Sequence, residues 1–204
     1  MGLLDMNQAP QMPQQPMQGG LLGGGGNIVE ADETFYGQIK GRDVKAGYGD
    51  HKHKIVSLVS RNGETRSFHI ANVDGKTLKP ILQAQIAKDS KLFTDTAGHY
   101  RHMPKGTFQS HKMVNHTQKE YARGEVHTNT VEGYFGLLKR GLNGTYHHVS
   151  EAHLQRYVNE FDFRYTHRTS QGVTDHERTN AALRQITGKR LTYRRVSARS
   201  QDQA

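Results

Sequence analysis

The 204-residue chain contains no cysteine, so it has neither a disulfide framework nor a thiolate metal site, a composition that fits a reducing interior. Its apolar runs are far too short to span a bilayer, and the N-terminus lacks the basic region and apolar core of a secretory signal. Met6 stands where a myristoylation signal beginning Met1-Gly2 requires Ser or Thr. Neither a Walker sequence nor a Gly-x-Gly-x-x-Gly pattern occurs, which argues against a nucleotide cofactor. A cytoplasmic protein with no membrane partner is therefore expected. Acidic residues are in deficit as well: 19 Asp and Glu face 28 Lys and Arg, a formal charge of +9. Such a surplus points to a polyanionic partner, because released counterions drive basic proteins onto nucleic acid.

Hydrophobic residues make up 33% of the chain, enough for one modest core. Residues 1–27, opening MGLLDMNQAPQMPQQPMQGGLLGGGG, are rich in Gln, Pro, Met and Gly and read as a disordered leader. Residues 189–204 read as a basic flexible tail, which either tracks a phosphate backbone or serves solubility. Between them, residues 28–188 form one domain in which strand patterns give way to helical ones. NIVEADETFYG, KIVSLVSR and TRSFHIA make three antiparallel strands, the last two joined across Asn62-Gly63. Asp74 caps a helix carrying Leu78, Ile81, Leu82 and Ile86, with Pro80 near its first turns. KLFTDTA and HKMVNHT return to strand, and helices follow over 128–141, 150–168 and 174–187, the last stopped at Gly188.

Three acids stand out in this frame. Asp32 lies inside the first strand, where an unpaired carboxylate is disfavoured. Asp95 closes the strand KLFTDTA before a turn, at the carboxyl end where α/β sites gather. Glu132 lies beside the apolar stripe Val131, Phe135, Leu138 and Leu142 of a helix. Singly, each has an ordinary alternative, a turn cap for Asp95 and a surface acid for Glu132. Together, if they converge, they make an all-oxygen site suited to Mg²⁺ or Mn²⁺, and two such ions about 4 Å apart serve phosphodiester cleavage. Lys139 follows Glu132 by two helical turns, within about 20° of the same direction, and Asn129 lies about 60° to the other side. The helix thus offers a carboxylate, an amide and an ammonium along one rim, with Gly136 leaving room for a polymer. Arg140, His147 and His148 are further candidates for phosphate contact. His51-Lys-His53 and His147-His148 lack the ligand spacing of recognised zinc motifs, so zinc is not expected.

VEADETFYG, the strand ending Thr94-Asp95, and above all HTNTVEGYFGLLKRGLNGTYHHVSEAHLQRYVNEFDFRYTHR resemble the catalytic domain of bacterial insertion-sequence transposases of the DDE superfamily, ISXO-like group, over roughly residues 28–188. The resemblance implies an α/β fold, a ribonuclease H-like mixed sheet flanked by helices. It implies that Asp32, Asp95 and Glu132, separated by 63 and 37 residues, bind two divalent ions for DNA nicking and strand transfer, with Lys139 seven residues beyond. Some relatives place Asn third, which makes Asn129 the alternative to Glu132. The implied partners are double-stranded DNA, as element ends and target, and further copies of the same chain. Members of the group usually carry a zinc-ribbon or helix-turn-helix region before the catalytic domain, where this chain has its Gln/Pro/Gly leader. A cleavage-inactive DNA-binding remnant and a structure-selective nuclease of the same fold are the competing functions.

Overall fold

The computed structural model describes residues 20–42, 44, 49–101, 103–115 and 122–186. Strands β1 (Ile28–Tyr36), β2 (His53–Ser60), β3 (Thr65–Ile70), β4 (Lys91–Asp95) and β5 (Ser110–Val114) form one sheet in the order β3-β2-β1-β4-β5. The pairs β1–β2 and β2–β3 are antiparallel, and β4 joins β1, and β5 joins β4, in parallel. Helix α1 (Gly75–Gln85) precedes β4, and a two-stranded ribbon of β6 (Ala122–Arg123) and β7 (Val126–His127) precedes α2 (Asn129–Arg140) and α3 (Glu151–Thr166). This mixed sheet with flanking helices is the ribonuclease H-like arrangement expected from the sequence.

The period-two alternation of the strands sorts side chains onto two faces. Val29, Ala31, Val56 and Leu58 enter one core with Leu78, Leu82 and Tyr100, while Tyr36, Ile55 and Val59 enter another with Val131, Tyr134, Leu138, Leu154 and Val158. Asp74 caps α1 as expected, its side chain accepting from the Thr77 N–H at 2.8 Å, and Pro80 lies inside the helix. Helix α2 runs on into a π-helical turn, Gly141–Thr145, and a Cβ on Gly141 would collide with the Phe161 ring of α3. Asp162, 6% exposed, locks α3 to its neighbours: it accepts from the Ser67 N–H at 2.7 Å and from the Tyr134 hydroxyl at 2.6 Å.

The boundaries differ from the expectation. The fold takes in part of the leader: Leu22 is fully buried, its N–H donates to the Gln85 carbonyl at 2.8 Å, and its carbonyl accepts from Ala87 at 3.0 Å. The left-handed Gly23 that follows is forced to be glycine, since a Cβ there would strike Ser90. At the other end the chain divides into two compact units, Met1–His167 and Arg168–Ala204, rather than one body to residue 188. The second unit holds a 3₁₀ turn, Thr169–Gln171, and α4 (Asp175–Ile186), opened by a reciprocal Thr174–Glu177 cap with bonds of 2.8 and 3.3 Å. The leader before residue 20, the helix stop at Gly188 and the 189–204 tail lie outside the described residues.

One buried acid sets the position of α2. Glu30 of β1, 0% exposed, accepts from the N–H groups of Thr130 and Val131 at 2.8 and 3.1 Å, from the Thr130 hydroxyl at 2.8 Å and from Arg61 at 2.8 Å. A helix start leaves its first N–H groups without intrahelical partners and favours negative charge, so this carboxylate supplies what the end of α2 lacks. Glu30→Ala is expected to destabilise the protein by about 2–4 kcal/mol in urea unfolding, because it leaves two helix donors and the half-buried Arg61 without their carboxylate. A loss under about 1 kcal/mol would show that the cap is replaceable by water.

Candidate active site

Asp32 lies two residues beyond Glu30 on β1, on the same face of the sheet. The parallel register pairs Glu30 with Phe93, so two residues further on Asp32 comes level with Asp95, the last residue of β4. Glu132 is in the first turn of the helix that Glu30 caps. The Thr128 hydroxyl donates to Glu132 Oε1 at 2.9 Å, which restrains the carboxylate at the helix mouth. The three acids line one cleft of about 780 Å³, together with Lys52, Gly136 and Lys139. A Cβ at Gly136 would meet nothing within 4 Å, so glycine there keeps the cleft open rather than relieving a clash within the fold.

The electrostatics of the cleft are those of crowded negative charge. Burial first, then the neighbouring Glu33, and behind it Asp95 and Glu132, push Asp32 up to about 8, against the pull of the Glu33 N–H that donates to it at 2.8 Å. Asp95 also fulfils the turn-cap role, accepting from the Ala97 N–H at 2.9 Å. On the opposite face of β1, Glu33 accepts from the Tyr100 hydroxyl at 2.8 Å and contacts His99 at 3.0 Å. Burial opposes charge on His99, but the bond and charge of Glu33, with Asp95 and Asp74 beyond it, prevail and raise that ring above the ordinary histidine value. Three carboxylates in one cleft, one of them held protonated chiefly by burial, form a donor set that would suit a hard divalent cation, which would replace that proton.

Residues 21–166 match the ISXO2-like transposase domain. The chain belongs to that family. An uncharacterized transposase-like protein of Haemophilus influenzae is 27% identical over 96 residues, covering 47% of this chain and 76% of the relative. Among solved structures the chain is similar to part of the cryo-EM structure of the simian T-cell lymphotropic virus intasome in complex with PP2A regulatory subunit B56 gamma. That match has a TM-score of 0.43 at 16% identity and covers 76% of this chain but about half, 52%, of the other.

Within this transposase-family domain the site residues expected from the sequence separate into two groups. Asp32, Asp95, Glu132 and Lys139 share the cleft. Asn129 is exposed at the first residue of α2 and is not among the cleft's lining residues, and Arg140 is exposed at the last. His147 and His148 line a different cleft, of about 330 Å³, with His53 and Glu151. Residues that the sequence did not single out are Glu30, Glu33 and Lys52. The signal for Glu30 was available in VEADETF, as a second acid on the same face as Asp32.

A pH dependence follows from Asp32. The folded state retains its proton up to about 8 whereas the unfolded chain releases it near 3.8, so its contribution to stability is complete at acid pH and is lost as pH rises through that window. In metal-free buffer Asp32→Asn is expected to melt above wild type at pH 8.5, by about 2–5 °C, with the gap closing towards pH 5. Parallel melting profiles for the two proteins would mean that Asp32 is already ionised in the fold.

Proposed function

We propose that the domain is a DDE-type DNA transposase, cutting element ends and joining them to target DNA. The observation that carries this proposal is the lining of one cleft by acids from β1, β4 and α2, with Lys139 on its rim. Asp32, Asp95 and Glu132 would hold two Mg²⁺ or Mn²⁺ ions, which supply the charge that activates an attacking oxygen and steadies a leaving one. The chain's own residues do the remaining work. Asp32 gives up the proton it retains in the free protein, and the Thr128 hydroxyl holds Glu132 in place. Lys139 and Lys52 meet backbone phosphates, and Gly136 leaves the volume that the strand needs. In the first step water bonds to phosphorus while the bond to the 3′ oxygen breaks, leaving a 5′ phosphate and a 3′ hydroxyl. In the second step that hydroxyl bonds to a target phosphorus and expels the target's own 3′ oxygen, so the exchange needs no nucleotide cofactor. Double-stranded DNA is the partner, engaged by more than one copy of the chain.

Incubation of linear element-end DNA with the full chain and Mn²⁺ tests this proposal. Wild type is expected to nick the ends and yield joined products. Asp95→Asn is expected to lose at least 100-fold in nicking, the scale on which electrostatic stabilisation acts, while binding DNA nearly as before. Lys139→Ala should weaken binding and flatten the log–log salt dependence by about one unit, with less than about 0.5 kcal/mol lost in stability. Binding without metal-dependent nicking would assign the chain instead to the cleavage-inactive remnants, and nicking without joined products to the nucleases.

A further inference from the structure

A second cluster of ligands lies away from the three acids. His53 opens β2, His69 is the penultimate residue of β3, and Glu151 opens α3. The β2–β3 register pairs Ile55 with His69, so His53, two residues before Ile55, leaves the sheet on the same face as His69. That face is the one α3 covers: the His69 N–H donates to Gln155 Oε1 at 2.6 Å, and Glu151 lies one helical turn before Gln155. One donor atom from each of His53, His69 and Glu151 lies within 4.8 Å of the others. The two imidazoles stand edge to face, their centroids 5.4 Å apart.

The environment favours a ligand there. His53 is only 5% exposed, yet its Nδ1 is buried with no hydrogen-bond partner, a cost that a native fold rarely leaves uncompensated. Burial, then the neighbouring His53 and more weakly Lys54, lower His69 against the opposing pull of Glu151, the direction that favours the neutral imidazole a metal requires. Lys54 is the cation beside this group, and its ammonium is directed to the Ala71 carbonyl at 3.3 Å and Asp50 at 3.9 Å. His53 and Glu151 also line the cleft of about 330 Å³ that holds His147 and His148, so a bound ion would have access from that side.

We propose that His53, His69 and Glu151 form a transition-metal site, with Zn²⁺ as the fitting cation, that ties the start of α3 to the β2–β3 hairpin. Two imidazoles and one carboxylate suit zinc, with bonds of about 2 Å, and select against the magnesium expected in the all-carboxylate cleft. Three protein ligands leave one position of a tetrahedron open towards the second cleft. No linear motif announces the site, because its ligands come from two strands and a helix.

Tag-free full-length protein, stripped with EDTA and dialysed, is titrated with Zn²⁺ against a chromophoric chelator. One equivalent is expected to bind with Kd below about 1 µM, a weaker limit than structural zinc-finger sites reach, because one ligand fewer holds the ion. The double variant Asp32→Asn/Asp95→Asn should retain that equivalent. Glu151→Gln, which changes an exposed side chain, and His69→Gln should each weaken binding at least about tenfold. Failure to bind Zn²⁺ in this range overturns the proposal. So does binding that survives both Glu151→Gln and His69→Gln, which would belong to surface histidines, or that disappears in the double variant, which would belong to the acidic cleft. Should His69→Gln fail to fold by circular dichroism, Glu151→Gln alone decides.

Discussion

A carboxylate removed from water needs replacement donors, and the way Glu30 obtains them sets the position of the site. It takes two N–H groups and a hydroxyl from the start of α2 and a guanidinium from Arg61, which itself lies over the Phe93 ring of β4 at 5.2 Å. The bonds span about a hundred residues of sequence, so the helix end is tied directly to the central strand instead of being positioned through loops. Once that end is fixed, the first turn of α2 must lie over β1, and Glu132 lies beside Asp32. The direction of the helix helps: Glu132 is in its first turn and Lys139 and Arg140 in its last, each sign at the end of the macrodipole that favours it.

Glu30 and Asp32 share one face of one strand, but their surroundings differ in sign. Around Glu30 stand two helix N–H groups, a hydroxyl and the Arg61 guanidinium, with the His127 ring at 3.3 Å, and the charge is compensated inside the fold. Around Asp32 the leading influences are burial, Glu33, Asp95 and Glu132, offset by one backbone N–H. The fold therefore invests stability in the first acid and keeps an electrostatic deficit at the second. Deficits of this kind are characteristic of sites completed by something absent from the free chain, and a divalent cation is the simplest complement to three carboxylates. The same reasoning separates the carboxylate cleft from the histidine cluster, where neutral nitrogen donors replace oxygen and the fitting cation changes with them.

Much of this was legible before the fold was known, because it is local. Alternation gave β1, β2 and β3, Asp74 announced α1, and the stripe of Val131, Phe135 and Leu138 gave α2 with Glu132 on its rim. What escaped is non-local. Leu22 sits in a Gly-rich segment whose composition reads as disordered, and only its pairing with Ile86 brings it into the core. Glu30 has no signature of its own until the helix it caps is folded against it. The β6–β7 ribbon is too short for periodicity to register, and His53, His69 and Glu151 are gathered by sheet register and helix packing. The separation of α4 into the second unit likewise depends on tertiary contacts, since its own helical pattern and Thr174–Glu177 cap are as clear as those of its neighbours.

The central claim is that Asp32, Asp95 and Glu132 together complete one metal centre. Anomalous diffraction from a crystal grown with Mn²⁺ measures this directly. The expected result is manganese density in the carboxylate cleft, with oxygens of Asp32, Asp95 and Glu132 at about 2 Å, the bond length of a small hard cation. Manganese bound only elsewhere, or held in the cleft without Glu132, would contradict the assignment of α2 as the third arm of the site.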